Sequence, residues 1–360
     1  NRAAENCDLG RNCVRHRGFP FSRFIGAKSF WGLFFSYGFL FGAGIGISYV
    51  VPIATANKWF PDKKGFITGI AVAGFGAGSF IFNYLIKFLA NPKGLEANDP
   101  NFVAAMEKTT PIMYIVLGIV YMLMVFGGAL FLDNPPQGFM PAGWTPPKLE
   151  AGNIKAGVEF QRNEILKFPQ TYLMMGSFLL SAMCGLIVIG SFAAFAKSVD
   201  DAGKYIYIIG TVDFVLIGSL AALFNGAGRI FWGKIADLLD FRRTMMIMFF
   251  VQAIFCFMYF ATNSSPIGFL LVTCFIYFCF GGNLSLFPTG TSDLFGKENM
   301  GSNYGVIFIG YGIAGFVGAV AVNAIVVSFG GYLTLFIFMG CISLGAVGLT
   351  FLVKPVKSKI

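Results

Sequence analysis

One permanent cation stands inside an apolar run. From Tyr205 to Trp232 the chain carries no charge except Asp213 and Arg229. A guanidinium at the centre of a membrane helix costs about 2.5 kcal/mol or more. It persists where it faces a polar cavity, an anion or a counter-charge. The alternative is a side chain that snorkels to the headgroups. Arg229 lies eight residues before Asp237, about 12 Å along a helix at 1.5 Å per residue, and that depth favours the cavity. Asp213 precedes Arg229 by sixteen residues, about 24 Å along the same helix, too far for the two to pair. Asp213 is either a solvated helix end beside Asp200 and Asp201 or a coupling or gating group at the outer mouth, since intramembrane acids serve relays.

Such residues need helices that cross a bilayer. The chain supplies nine apolar stretches near the ~20 residues that one crossing requires. They fall at 30–53, 66–90, 112–132, 172–196, 205–232, 244–261, 267–288, 303–329 and 332–353. The composition agrees: 56% of residues are hydrophobic and 12% charged, against about 25% charged in a soluble domain. The fold class is all-α and polytopic, with the lipid bilayer as its first partner. Most of the 46 glycines fall inside the apolar runs, as in close-packed membrane helices. A net charge of +9 sits in the links between runs and gives no reason to expect nucleic acid. Cys184, Cys256, Cys274, Cys279 and Cys341 lie in apolar runs, and His16 is the only histidine. The sequence therefore has no metal-ligand spacing, and no cofactor is expected.

Orientation follows from the basic residues. Alternate links hold Lys58, Lys63 and Lys64; Lys148, Lys155, Arg162 and Lys167; Lys234, Arg242 and Arg243; and Lys297, with Lys354, Lys357 and Lys359 in the tail. The opposite links hold only Lys87, Lys93, Lys108, Lys197 and Lys204. The richer set, and with it the C-terminus, is expected in the cytoplasm. Nine spans would then put the N-terminus outside. Yet residues 1–29 carry Arg2, Arg11, Arg15, Arg17, Arg23 and Lys28, which belong inside. An odd number of upstream helices missing from this chain resolves the conflict; a foreign or mispredicted leader at 1–29 is the other resolution.

Four blocks carry a family resemblance. The first runs from Gly44-Ile-Gly46 into Lys58-Trp-Phe-Pro-Asp62-Lys63-Lys64-Gly65 and on through Gly69, Gly74, Gly76 and Gly78. The second is Asn134-Pro-Pro-Gln-Gly138 with Gly143-Trp144. The third is Asn225-Gly-Ala-Gly-Arg229-Ile-Phe-Trp-Gly233-Lys-Ile-Ala-Asp237 with Arg242 and Arg243. The fourth is Asp293-Leu-Phe-Gly296 with Asn303-Tyr304-Gly305. Together they resemble the major facilitator superfamily, and within it the oxalate/formate antiporters, with monocarboxylate transporters as more distant relatives. The resemblance implies a twelve-helix transporter of which this chain holds helices 4–12. Residues 30–132 would be part of the N-terminal half, 133–169 the central cytoplasmic loop, 170–353 the C-terminal half and 354–360 a cytoplasmic tail, after a basic leader at 1–29. Leu238 and Asp240 depart from the superfamily pattern, which has a basic residue and a glycine there.

The resemblance also assigns roles. It makes Arg229 the cavity cation for a carboxylate substrate, which a guanidinium grips with two parallel hydrogen bonds. Proton-coupled relatives have an aspartate one turn before this arginine; here it is Asn225, which holds no proton. Oxalate-type relatives have a lysine where Tyr311 stands, so one fixed cation remains where a dicarboxylate would prefer two. Tyr311 is equally readable as a packing aromatic. Gly233, Asp237, Arg242 and Arg243, with Asp62, Lys63 and Lys64, are expected as structural residues of cytoplasmic loops. Gly74, Gly76 and Gly78 are expected to line a close helix contact.

The expected function is transport of small organic anions by alternating access: monocarboxylates such as formate, lactate or pyruvate, or oxalate, exchanged against another anion or moved with a proton. The expected location is the plasma membrane. A carrier of another small solute, or a truncated chain that transports nothing, stays open. The lone histidine, outside the spans, argues against an enzyme.

Overall fold

The computed structural model describes residues 30–95, 99–136, 139–141, 159–196, 214–329 and 331–356. The described residues are helices and their connections. The first span starts as α1 (Phe30–Leu33), passes through a π-helical stretch (Phe34–Phe41) and continues as α2 (Gly42–Trp59). Then come α3 (Lys64–Ala90), α4 (Phe102–Ala129), a one-turn α5 (Arg162–Ile165), α6 (Pro169–Ala196), α7 (Phe214–Leu239), α8 (Phe241–Tyr259), α9 (Pro266–Phe295), α10 (Met300–Ser328) and α11 (Gly331–Leu352). Among the described residues nine helices are long and apolar enough to cross a membrane.

Several boundaries differ from those read off hydropathy. The run 205–232 becomes a helix described from Phe214, which carries seven residues beyond Trp232 to Leu239. Asp213 lies outside the described residues. The run that ended at Pro288 becomes a helix to Phe295 with Pro288 inside it. Membrane helices tolerate an internal proline; around it Thr289 donates to the Ser285 carbonyl and Thr291 to that of Phe287.

Contacts divide the described chain into two compact units. One comprises the residues up to Tyr49 and Ile81–Asp133; the other comprises Val50–Phe80 and the residues from Asn134 onward. In the first, Ala90, Met113 and Leu117 form a small core with Phe82, Leu85 and Tyr114 against it. The Thr109 hydroxyl donates to the Ala90 carbonyl at 2.5 Å and ties the end of α3 to α4.

In the second unit α9 is the central element. Every residue from Cys279 to Ser292 is buried. A helix enclosed on all sides has no need of a polar stripe, and α9 packs on α7, α8, α6 and α10. One polar node pins this core. The Ser181 hydroxyl lies 2.9 Å from both Gln252 Oε1 and Asn283 Oδ1, and Ser343 Oγ donates to the Phe249 carbonyl at 2.8 Å. All four side chains are fully buried, and they join α6, α8, α9 and α11. Asn283 Nδ2 has no partner among the described residues. Turning its amide over lets the NH2 donate to Ser181 Oγ, whose own proton then serves Gln252.

Candidate functional site

The site is built on α7 and begins with how close that helix lies to its neighbours. A Cβ added at Gly65 would collide with the backbone of Gly233, at Gly69 with that of Arg229, and at Gly76 with that of Ala222 and Gly226. The pairing falls along α7 as it rises along α3, so the two run antiparallel with their backbones touching. On its other flank, Gly228 meets the backbone of Phe278, and Gly281 meets that of Asn225. Small residues permit such approach. The sequence pattern pointed to the wrong glycines at two positions: a Cβ at Gly74 or Gly78 would meet no other described atom within 4 Å. Gly69 and Gly65 take their place, about two and three turns before Gly76 on the same face.

Arg229 therefore sits on the stretch of α7 that α3 and α9 both approach by backbone. It is the one charged side chain that is buried among the described residues, at 4% exposure. That rules out snorkelling. Its Nε donates to Asn225 Oδ1 at 3.0 Å, one turn back on α7. Its Nη1 donates to the Val72 carbonyl of α3 at 2.6 Å. The neutral amide at 225 thus orients the guanidinium without cancelling its charge. Nothing in the sequence marked Val72, because a backbone acceptor leaves no side-chain signature.

Tyr311 lies within α10. Its ring stacks on Phe308 at 4.8 Å between centroids, and Phe178 and Phe280 lie at 5.5 and 6.3 Å. Phe178 in turn stacks on Phe287 at 4.0 Å. Tyr311 thus packs within a cluster of rings from α6, α9 and α10. Asn303, read as structural, donates from Nδ2 to the Phe160 carbonyl at 2.9 Å.

A second cluster gathers the expected loop residues, and several are not in loops. Gly233 and Asp237 lie within α7, Arg242 and Arg243 within the first turn of α8, and Lys64 opens α3; only Asp62 and Lys63 occupy a turn. The connection between α7 and α8 has shrunk to Asp240. This residue takes φ 87°, the left-handed region that favours glycine, at the position where the superfamily has glycine. Its side chain accepts from the Arg243 backbone N–H at 2.9 Å and caps α8, with Arg243 Nε 3.4 Å away. An aspartate tolerates this conformation because its carboxylate bonds locally.

The Asp237 carboxylate accepts the backbone N–H groups of Gly65 and Phe66, each at 2.9 Å. It thereby satisfies orphan donors at the start of α3, where negative charge is favoured. Lys64 Nζ pairs with Asp293 on α9 at 2.8 Å, both side chains largely buried. Arg242 donates to the Phe351 carbonyl and lies 5.5 Å from that ring's centroid. Sequence reasoning missed Glu159, whose carboxylate accepts the N–H groups of Lys297 and Glu298, both at 2.9 Å, just before α10. Phe160 follows and packs against Phe168 and Phe295. Burial, then the neighbouring Lys64 charge, push the Lys297 amine down to about 8 from 10.5.

The described residues thus combine a charge buried at a glycine-lined helix crossing with carboxylates that cap helix ends in other elements. Comparisons with known proteins supply the family. A profile of the Major Facilitator Superfamily matches residues 18–319 and 207–359. The chain is 29% identical over 283 residues to an uncharacterised transporter of this type, YhjX, from Escherichia coli, covering 78% of this chain and 62% of that one. It is 26% identical to apicoplast pyruvate carrier 1 of Toxoplasma gondii, covering 76% and 55%. It is 28% identical to the oxalate:formate antiporter of Oxalobacter formigenes, covering 89% and 70%. The chain thus spans between about half and seven-tenths of the length of these relatives. With nine apolar helices among its described residues and profile matches that cover most of its length, the chain belongs to the Major Facilitator Superfamily of membrane transporters.

Proposed function

We propose that this protein carries small carboxylates across a membrane by alternating access, with Arg229 as the cation that binds the carboxylate. The observation that carries this reading is the burial of Arg229 at 4% exposure with a neutral amide, Asn225, as its side-chain partner on α7. A guanidinium kept charged in an apolar setting is disposed to take an anion. The names of two relatives, an oxalate:formate antiporter and a pyruvate carrier, support the same substrate class.

A monocarboxylate suits the site better than a dicarboxylate. Tyr311 stands where the antiporter resemblance puts a second cation, and its neighbours are aromatic rings. A short anion with one charge uses one guanidinium, and its uncharged end rests against the rings. The amide at Asn225 holds no titratable proton, which favours anion exchange or uniport over proton symport. The basic links favour a cytoplasmic side for the α2–α3 turn, the α7–α8 connection and the C-terminus, and the plasma membrane is the proposed location.

The test is counter-flow in proteoliposomes with radiolabelled formate, lactate, pyruvate and oxalate at two pH values. Arg229→Ala and Arg229→Lys are expected to lose about tenfold or more of the uptake, the worth of a charged or bidentate hydrogen bond, while membrane insertion is unchanged. Normal uptake by both variants, or no carboxylate uptake by the wild type, overturns the assignment.

A further inference from the structure

The bond between Arg229 Nη1 and the Val72 carbonyl, at 2.6 Å, joins two different helices. Val72 lies on α3 between Gly69 and Gly76, whose backbones lie directly against α7. A carbonyl inside a helix already accepts the N–H four residues on, so the guanidinium takes its second lone pair. Glycines at the crossing leave little side-chain interlock there. The guanidinium therefore adds a charge-assisted hydrogen bond between α3 and α7 to the backbone packing at the glycines.

A carboxylate is a stronger acceptor for a guanidinium than a neutral amide carbonyl, because both partners are charged. We infer that a carboxylate arriving at Arg229 displaces the Val72 carbonyl, so that binding of the anion unties α3 from α7. Arg229 is then a tether as well as a binding group. Asn225 keeps hold of Nε at 3.0 Å throughout, which makes it the positioning residue: the guanidinium changes one acceptor without leaving its place. Once that bond is released, the glycine contacts and the cap of Asp237 on Gly65 and Phe66 are what remain between the two helices. The inference rests on the reading of Arg229 as a carboxylate site and adds how occupancy reaches the helix contact.

Hydrogen exchange on the intact protein in nanodiscs tests it, with formate, pyruvate or oxalate added and chloride as control, and with carboxylate binding measured separately by thermal shift. Carboxylate is expected to speed exchange of the amides from Gly65 to Gly76 by about twofold or more, the sign of weaker local structure. Chloride should leave them unchanged. Gly76→Ala places a methyl against the backbone of Ala222 and Gly226 and should speed the same amides without any carboxylate. If that variant does not fold, the wild-type comparison decides alone. A carboxylate that binds while exchange over 65–76 stays constant or slows overturns the tether and leaves the binding site standing. Absence of any carboxylate binding overturns the binding reading, and the tether with it.

Discussion

The Asp237 carboxylate on α7 holds the backbone N–H of Gly65, the second residue of α3, at 2.9 Å, and a second bond from Phe66 completes the cap. The carboxylate needed to close one helix end is thus supplied by another helix. Asp237→Asn keeps one acceptor but turns an NH2 toward the N–H groups and removes the charge. It is expected to cost about 1 kcal/mol, the usual worth of a cap or of a charge at a helix terminus. Thermal unfolding should register the loss, with faster exchange at Gly65 and Phe66. An unchanged midpoint and unchanged exchange would sink the capping role.

Asn225 sets the sign of the site. Asn225→Asp puts a carboxylate where the amide oxygen now accepts from Arg229 Nε at 3.0 Å. The new pair cancels the cation, and uptake at neutral pH is expected to fall about tenfold or more, since a hydrogen bond to a charged group is worth roughly 1.5–3 kcal/mol. Acidification protonates the new carboxyl and returns the charge to the substrate, so uptake should recover in part as pH falls. Uptake of the variant equal to wild type at every pH would show that Arg229 does not meet the substrate.

Lys297 predicts a pH dependence of stability. Its amine is pushed down to about 8 from 10.5, first by burial and then by Lys64. Between those values the unfolded chain binds more protons than the folded one, so stability attributable to Lys297 rises with pH across that window. Below about pH 8 the charged amine weighs against the fold. Lys297→Met is therefore expected to raise the unfolding midpoint at pH 7 and to reduce the gain between pH 8 and 10. Unfolding scans across that range check it, and a variant whose midpoint at pH 7 drops would reverse the sign.

Asp240 is a strained residue with a compensating bond. Its φ of 87° costs on the order of 1 kcal/mol or more in a residue other than glycine, while its cap on Arg243 N contributes about 1 kcal/mol. Asp240→Gly loses the cap and the strain together and should be close to neutral. Asp240→Ala loses only the cap and should cost about 1 kcal/mol. Equal midpoints for the two variants would remove the argument from strain.

These residues also mark what the sequence made legible. Hydropathy located the nine candidate spans found among the described residues because lipid contact demands apolar runs over a fixed length. It misplaced the ends of α7 and α9 because charged and proline-bearing turns can continue a helix when other elements satisfy them, as Asp237 and Lys64 do here. Arg229 was conspicuous as a lone cation in an apolar run, and its turn-mate Asn225 followed from helical spacing. Val72 was invisible because its contribution is a carbonyl that every residue has. Glu159 was invisible because its partners, the amides of Lys297 and Glu298, are remote in sequence. Glycine spacing revealed that a close contact exists but not which face makes it, as Gly74 and Gly78 illustrate.

The glycine seams on both flanks of α7 bear on how this carrier can change. The helix that bears Arg229 is wedged by backbone against α3 and α9, with no room for a side chain at Gly65, Gly69, Gly228 or Gly281. A side chain added at any of these four positions meets a neighbouring helix's backbone, so these contacts of α7 leave no room for substitution. The rings of α6, α9 and α10 face no such limit: Phe178, Phe280, Phe308 and Tyr311 touch one another through side chains alone. New substrate preferences should therefore arise by repainting those rings while the charge stays in place, and a laboratory selection for altered specificity should return changes on those three helices.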